Sequence, residues 1–245
     1  MAHCELHYLN EALGIQSTAQ VIIPEGAHRP PYPVLYLLHG LSDDSTAWMR
    51  WTNIERYVAD LPLMVVMPEG GRGFYSDAVA GFACETALVR DLIGMVDRTF
   101  QTRAERSGRC LCGNSMGGYG AFRLALRHPD KFCAAVSLSG AMGFAQRPAG
   151  EITEEIARIL GPNPIGSEYD LFALAEKACR ETLPALRFDC GVGDFLLEEN
   201  RAFREHLEKL GLPHEYEESP GLHNWDYWDL HVRSAIAFFR KHLAL

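Results

Sequence analysis

Apolar positions along the chain follow two rhythms. Val34-Leu35-Tyr36-Leu37-Leu38-His39 and Met64-Val65-Val66-Met67 are almost unbroken apolar runs of strand length, the pattern of strands covered on both faces. Arg109-Cys110-Leu111-Cys112, Phe132–Leu138 and Arg187–Val192 read the same way. Between these runs, apolar residues recur every three or four positions, which predicts helices over 45–59, 84–100, 118–128, 196–210 and 225–242. Residues 3–9 and 16–23 are joined at Asn10–Gly14 and read as an antiparallel edge pair, while the polar stretch His214–Glu218 suits the opposite edge. Strands alternating with helices predict an α/β fold with a mostly parallel, doubly wound sheet and an antiparallel N-terminal edge.

Residues 142–186 interrupt the alternation. Helices are predicted over Glu151–Leu160 and Glu168–Cys179, around the breaker run Gly161-Pro162-Asn163-Pro164. The segment reads as a small helical cap inserted into a single domain spanning residues 1–245.

Composition narrows the function classes. A net charge of −9 with no Lys/Arg stripe argues against nucleic acid. No stretch is long and apolar enough for a membrane span, and the first residues lack a basic-then-apolar leader pattern. The seven cysteines are an odd number scattered through apolar segments, with no C-x-x-C spacing. They read as reduced core thiols of a cytoplasmic protein. Asp43-Asp44 and the pair Asp226 and Asp229 suit solvated or capping roles, so no metal or cofactor is expected. A homo-oligomer is left open.

One segment carries chemistry. Gly113-Asn114-Ser115-Met116-Gly117 has the form G-x-S-x-G, preceded by a buried strand and followed by a helix that ends at Pro129. Such a corner thrusts a serine out of the sheet at a helix N-terminus, where free N–H groups favour developing negative charge. The plain alternative is a tight glycine turn. A serine nucleophile needs a base, and that base needs an orienting acid. Ligands bind at the carboxyl ends of parallel strands, and two further residues follow strands there. Asp194 comes after Gly191-Val192-Gly193, and His223 lies in Ser219-Pro220-Gly221-Leu222-His223-Asn224-Trp225. The order serine, acid, histidine is that of α/β-hydrolases. The plain alternative for Asp194 is to cap the helix that starts near Leu196. Glu198 and Glu199 are rival acids, and His39, His128 and His231 are rival bases. An oxyanion needs two donors: Met116 N–H follows the nucleophile, and Leu41 N–H in His39-Gly40-Leu41-Ser42 is the candidate for the second. Gly70–Gly73 lacks the G-K-[ST] ending of a phosphate cradle and reads as a wall of the site. Trp48, Trp51, Trp225 and Trp228 suit either the core or a substrate pocket.

Together these residues resemble the esterase D-like group of α/β-hydrolases. The matching pieces are Leu37–Leu41, Trp48 with Trp51–Tyr57, Gly73–Asp77, Gly113–Ala121, Cys190–Leu196 and Pro220–Trp225. The group includes tributyrin and acetyl esterases, feruloyl esterases, S-formylglutathione hydrolases and mycolyltransferases. The tributyrin-esterase branch is the most similar, particularly at Thr52-Asn53-Ile54-Glu55-Arg56-Tyr57. The resemblance implies a serine carboxylesterase acting on small-molecule, short-chain acyl esters, acetylated or feruloylated sugars among them. It implies Ser115, Asp194 and His223 as triad, and Leu41 and Met116 as oxyanion donors. His39, Gly40, Trp48, Trp51, Tyr75, Asn114 and Trp225 would line the substrate site. Greater length and a different segment after His39-Gly40 set the S-formylglutathione hydrolases apart. A thioesterase of that kind, an acyltransferase, and a non-catalytic binding protein on the same fold stand as alternatives.

Overall fold

The apolar runs form the centre of one sheet. The computed structural model describes residues 1–147, 153–243 and 245. Among them, eight strands pair in the order β1-β2-β4-β3-β5-β6-β7-β8. β1 (Ala2–Asn10) and β2 (Ile15–Ile23) form the antiparallel hairpin, and β2 also runs antiparallel to β4 (Met64–Pro68). β3 (Val34–Leu38), β5 (Arg109–Asn114), β6 (Ala134–Leu138), β7 (Ala185–Gly191) and β8 (Glu215–Ser219) complete a parallel array with β4.

All residues of β3, β4, β5 and β6 are buried, because helices cover both faces. Alternate side chains serve the two sides: Val34, Tyr36 and Leu38 join one apolar cluster, Leu35 and Leu37 the other. The first is covered chiefly by α4 (Ile93–Thr99), α5 (Met116–Arg127) and α8 (Leu197–Leu210). The second is covered by α1 (Ala47–Trp51), α2 (Ile54–Val58) and α9 (Trp225–His242). By contrast β1 alternates half-buried and exposed residues, as an edge strand does. From β3 the chain steps outward to β4, then returns to lay β5 on the other side of β3. That reversal opens a crevice beyond the carboxyl ends of β3 and β5. The residues following those strands, His39-Gly40-Leu41 and Ser115, stand at it.

Several elements differ from the sequence pattern, each for a local reason. The helix expected over 45–59 is two short helices broken at Thr52-Asn53. Thr52 Oγ1 donates to Trp48 O and accepts from Ile54 N–H, while Asn53 N–H donates to Asp229 at 2.8 Å, which pins the break to α9. The helix expected over 84–100 is present as α3 (Cys84–Thr86), a π-helical stretch Ala87–Leu92, and α4. α5 begins two residues earlier than the pattern, because Gly117, Gly118 and Gly120 weaken its helical signal without preventing the helix.

In the predicted insertion, α6 (Glu154–Leu160) and α7 (Leu171–Glu176) are shorter than expected. Glu151 and Ile152 lie outside the described residues. Ile159, Leu160, Tyr169, Leu171 and Ala175 join the same apolar cluster as α5 and α8, so this part of the segment shares the main core.

A buried charge cluster fixes that flank. Glu85 in α3 accepts hydrogen bonds from Arg123 and Arg127 on α5 and from His128. Arg123 is fully buried, and its Nε also donates to Glu168 O at 2.9 Å. Burial raises the Glu85 carboxyl's pKa, but the bonds from His128, Arg123 and Arg127 outweigh it and hold the group at about 2, against an ordinary 4.5. A carboxyl depressed on folding stabilises the fold fully above its ordinary value and loses that contribution as pH falls through its folded value. Glu85→Gln is therefore expected to destabilise the protein by about 3 kcal/mol at neutral pH, since it leaves Arg123 underpaired. Urea melts of both proteins should converge as pH falls from 4.5 towards about 2.

Candidate active site

The corner between β5 and α5 is tight. A Cβ on Gly113 would sit 2.4 Å from the Gly117 backbone, and one on Gly117 would sit 2.4 Å from Leu38 O. Only glycine permits both approaches. Ser115 between them has φ 53° and ψ −116°, a strained conformation for a non-glycine residue. Its N–H donates to Leu138 O at 2.9 Å, and its carbonyl accepts from Tyr119 and Ala141. The backbone is thereby held from β6 and α5 while the hydroxyl stays accessible.

The other two residues arrive on loops that pack backbone against backbone. Gly193 N–H donates to Gly221 O at 2.9 Å, and Val192 N–H donates to Ser219 O. A Cβ on Gly191 would meet Gly221 O at 2.6 Å. This contact brings the loop after β7 against the loop after β8. As a result, His223 Nδ1 lies 2.9 and 3.0 Å from the two Asp194 carboxylate oxygens, and Nε2 lies 2.9 Å from Ser115 Oγ. With Nδ1–H facing the carboxylate, Nε2 is free to accept the serine proton; the tautomer is assigned from these contacts. Asp194 Oδ1 also accepts from Leu196 N–H at 2.8 Å, so the capping and imidazole-binding roles coexist. Burial raises the Asp194 pKa, but the bonds from His223 and Leu196 N–H win and lower it. The carboxylate therefore stays ionised beside the imidazole. The His223 ring also meets Trp228 edge-on at 5.0 Å and Phe195 at 4.5 Å.

Two backbone N–H groups, that of Met116 after the serine and that of Leu41 on the turn after β3, are left unpaired among the described residues. The Gly40–Leu41 peptide is oriented from behind. Gly70 N–H donates to His39 Nε2 at 2.9 Å, which makes Nδ1 the protonated nitrogen, and Nδ1–H donates to Gly40 O at 2.8 Å. Asp43 N–H reaches the same carbonyl at 3.3 Å. In a trans peptide the C=O and N–H point oppositely, so holding Gly40 O inward turns Leu41 N–H outward.

The family model described as "Putative esterase" matches residues 10–239. The chain belongs to that esterase family. An acetyl esterase of Caldicellulosiruptor saccharolyticus is 27% identical, over 98% of this chain and 99% of its own length. A substrate-bound fluorophosphonate-binding serine hydrolase of Staphylococcus aureus superposes with TM-score 0.89 at 32% identity, covering 97% of this chain and 98% of the other. An S-formylglutathione hydrolase of the same organism gives TM-score 0.86, also at 32% identity with 97% and 98% coverage. The expectation that length separates this chain from such hydrolases therefore fails.

Other residues expected at the esterase's substrate site take different places. His39, Trp48, Tyr75 and Asn114 are 1% exposed or less, so they present almost no surface to a ligand. They back the site instead: Trp48 Nε1 donates to Leu38 O, and Tyr75 Oη donates to His39 O. Gly40 is also buried; a Cβ there would meet the Asn114 amide at 2.9 Å. Trp51 is exposed with Arg50 near its ring, and half-buried Trp225 packs edge-on against Trp48 and Trp228. Among the rivals, His128 is bound to Glu85, His231 is buried against Tyr227, Glu198 pairs with Arg201, and Glu199 accepts from Gly143 N–H.

Phe195 and Leu222, exposed and flanking Asp194 and His223, were not singled out from the sequence. Their signal was available: each is an apolar residue beside a candidate polar one, in a glycine loop. A cavity of about 810 Å³ lies along the rim without Ser115, Asp194 or His223 in its lining; Leu13, Ile15, Arg72, Phe82 and Ile159 are among its walls. The Gly70–Gly73 loop walls that cavity, and Gly70 N–H ties it to His39.

Two expectations follow. Asp194→Asn keeps an acceptor for Leu196 N–H but presents an amide N–H to Nδ1, which flips the tautomer. Turnover should fall by about 10⁴ with little change in Tm, measured by ester assay and thermal melt. His39→Gln releases the Gly40–Leu41 peptide and should lower kcat by ~10-fold or more with a smaller change in KM, a fraction of the loss from deleting an oxyanion donor. Unchanged kcat would remove His39 from the account.

Proposed function

We propose that the chain hydrolyses short-chain carboxylic esters through an acyl intermediate on Ser115. The observation that carries this is the unbroken relay from Asp194 through His223 to Ser115 Oγ, each contact at 2.9–3.0 Å, beside two N–H groups without acceptors. Ser115 Oγ attacks the ester carbonyl as His223 Nε2 takes its proton. The carbonyl oxygen becomes an oxyanion between Leu41 N–H and Met116 N–H, at the positive end of α5. Collapse expels the alcohol, which takes the proton from His223. Water then attacks the acyl-serine with His223 again as base, and the acid leaves. Asp194 remains ionised throughout, holding the tautomer and stabilising the imidazolium.

The rim of the crevice supports an uncharged substrate. Leu41, Val192, Phe195 and Leu222 are exposed apolar side chains on the oxyanion, acid and base loops. With a chain charge of −9, this favours neutral esters over anionic ones. The acetyl esterase relative points to small acyl groups. A second reading is favoured by the S-formylglutathione hydrolase neighbour: the same relay acting on a thioester. No described helix is long and apolar enough to cross a membrane. All seven cysteines are free, which supports a reducing, cytoplasmic setting.

Ser115→Ala should abolish turnover of p-nitrophenyl acetate and labelling by a fluorophosphonate probe, with an unchanged circular dichroism spectrum. Retained turnover in the folded variant would refute the acyl-serine route. A panel of acetyl, butyryl, feruloyl and S-formylglutathione substrates then separates the two readings by kcat/KM.

A further inference from the structure

Behind the relay sits a buried carboxylate that the reaction does not use. Asp189, on β7, is fully buried on the face packed by α9. A carboxylate there is costly unless its partners offset the loss of water. Both its oxygens turn to α9. Tyr227 Oη donates to Oδ1 at 3.0 Å, and Oδ2 lies 3.5 Å from His231 Nδ1. Neither Oδ2 nor His231 Nδ1 has a hydrogen-bond partner among the described residues. The Tyr227 and His231 rings stack at 3.9 Å. The one well-made bond of this group is therefore the one to Tyr227.

Tyr227 stands on the first turn of α9, directly after the loop that carries His223. Its N–H donates to the Asn224 side chain that caps the helix. Its ring lies under Gly221, where a Cβ would come within 2.3 Å of Cδ2. Its neighbour Trp228 meets the His223 ring edge-on. The strand that holds Asp189 also leads into the loop of Asp194, and Asp189 O accepts from Ser139 N–H at 2.8 Å.

We propose that Asp189 and Tyr227 are a positioning pair for catalysis: their hydrogen bond locks the first turn of α9 and the Gly221 backbone to β7, and so sets His223 against Asp194 and Ser115. The pair acts in parallel with the Gly193–Gly221 backbone bond. In this proposal the buried polar contact selects one register of α9 on the sheet, a role such contacts fill in some proteins. The inference rests on His223 being the base.

The test compares Tyr227→Phe, Asp189→Leu and Asp189→Asn in p-nitrophenyl acetate hydrolysis, well below the Tm of each variant. Tyr227→Phe keeps the ring under Gly221 and loses only the hydroxyl. Asp189→Asn keeps an acceptor for that hydroxyl, and Asp189→Leu removes it. Tyr227→Phe and Asp189→Leu should lower kcat about tenfold or more with KM within about twofold, since a small misplacement of a catalytic group has that consequence. Asp189→Asn should stay within about threefold of the parent, as its retained acceptor keeps the geometry.

Lower Tm with kcat retained in Tyr227→Phe and Asp189→Leu would overturn the proposal and leave the pair a purely structural contact. So would an Asp189→Asn variant as impaired as Asp189→Leu, because the acceptor and not the charge is invoked. If Asp189→Leu does not fold, Tyr227→Phe decides. Ser115→Ala and His223→Ala run alongside: activity in those variants sinks the acyl-serine reading, whereas their inactivity with an unimpaired Tyr227→Phe sinks the positioning pair alone.

Discussion

The close approach of the Gly113 and Gly117 backbones is the constraint on which the rest depends. A methyl group on Gly113 would force β5 and α5 apart, and one on Gly117 would force α5 away from the end of β3. With that contact in place, Ser115 is driven into φ 53° at the tip of a buried strand. The strain is borne by the core on either side, through the hydrogen bond to Leu138 O and the burial of Met116, Tyr119 and Phe122. A serine on an ordinary turn would have rotational freedom that the acyl-transfer geometry cannot tolerate. Gly117 also presses on Leu38 O, so the same contact fixes the distance from the serine to the turn after β3. That turn supplies the candidate oxyanion donor Leu41.

Much of this was legible along the chain. The strands, the mostly parallel sheet and the three relay residues could be read because each rests on a short-range signal: an apolar run, a glycine corner, or a polar residue following a strand. The core role open to Trp48 was legible, but the buried roles of His39 and Tyr75 were not. A histidine or aromatic residue beside a glycine reads alike whether it faces a ligand or supports the loop from behind. Only the neighbouring strand decides, and for His39 that neighbour is Gly70, more than thirty positions away. The break between α1 and α2 was hidden for the same reason, since it depends on Asp229 reaching back from α9. Propensity sees Thr52 and Asn53 as weak helix formers, but it cannot see the carboxylate that makes the break favourable.

The distribution of charge separates two tasks. Glu85, which stabilises the fold, is held by arginines on the flank of α5. Asp194 is held by an imidazole and a backbone N–H, and no arginine or lysine among the described residues pairs with it. An arginine at Asp194 would neutralise the carboxylate and weaken its hold on the imidazolium that forms when Ser115 gives up its proton. A neutral, mobile-proton partner leaves the carboxylate's field directed at His223. The same amino acid chemistry is thus used for permanence in one place and for a transient charge in the other.

Function here is read from the convergence of polar groups, because the apolar volume points elsewhere. The cavity of about 810 Å³ has the size of a ligand pocket, yet a reacting carbonyl in it would meet neither Ser115 nor the two free N–H groups. The crevice at Ser115 instead brings a hydroxyl, an imidazole and a carboxylate within hydrogen-bond distance of one another. Its walls are loops tied to one another by backbone contacts at Gly191, Gly193 and Gly221. Loops zipped in this way keep their spacing when side chains on their outer faces change. Val192, Phe195 and Leu222 are exposed on these loops, while the backbone contacts beneath them keep Asp194 and His223 in register.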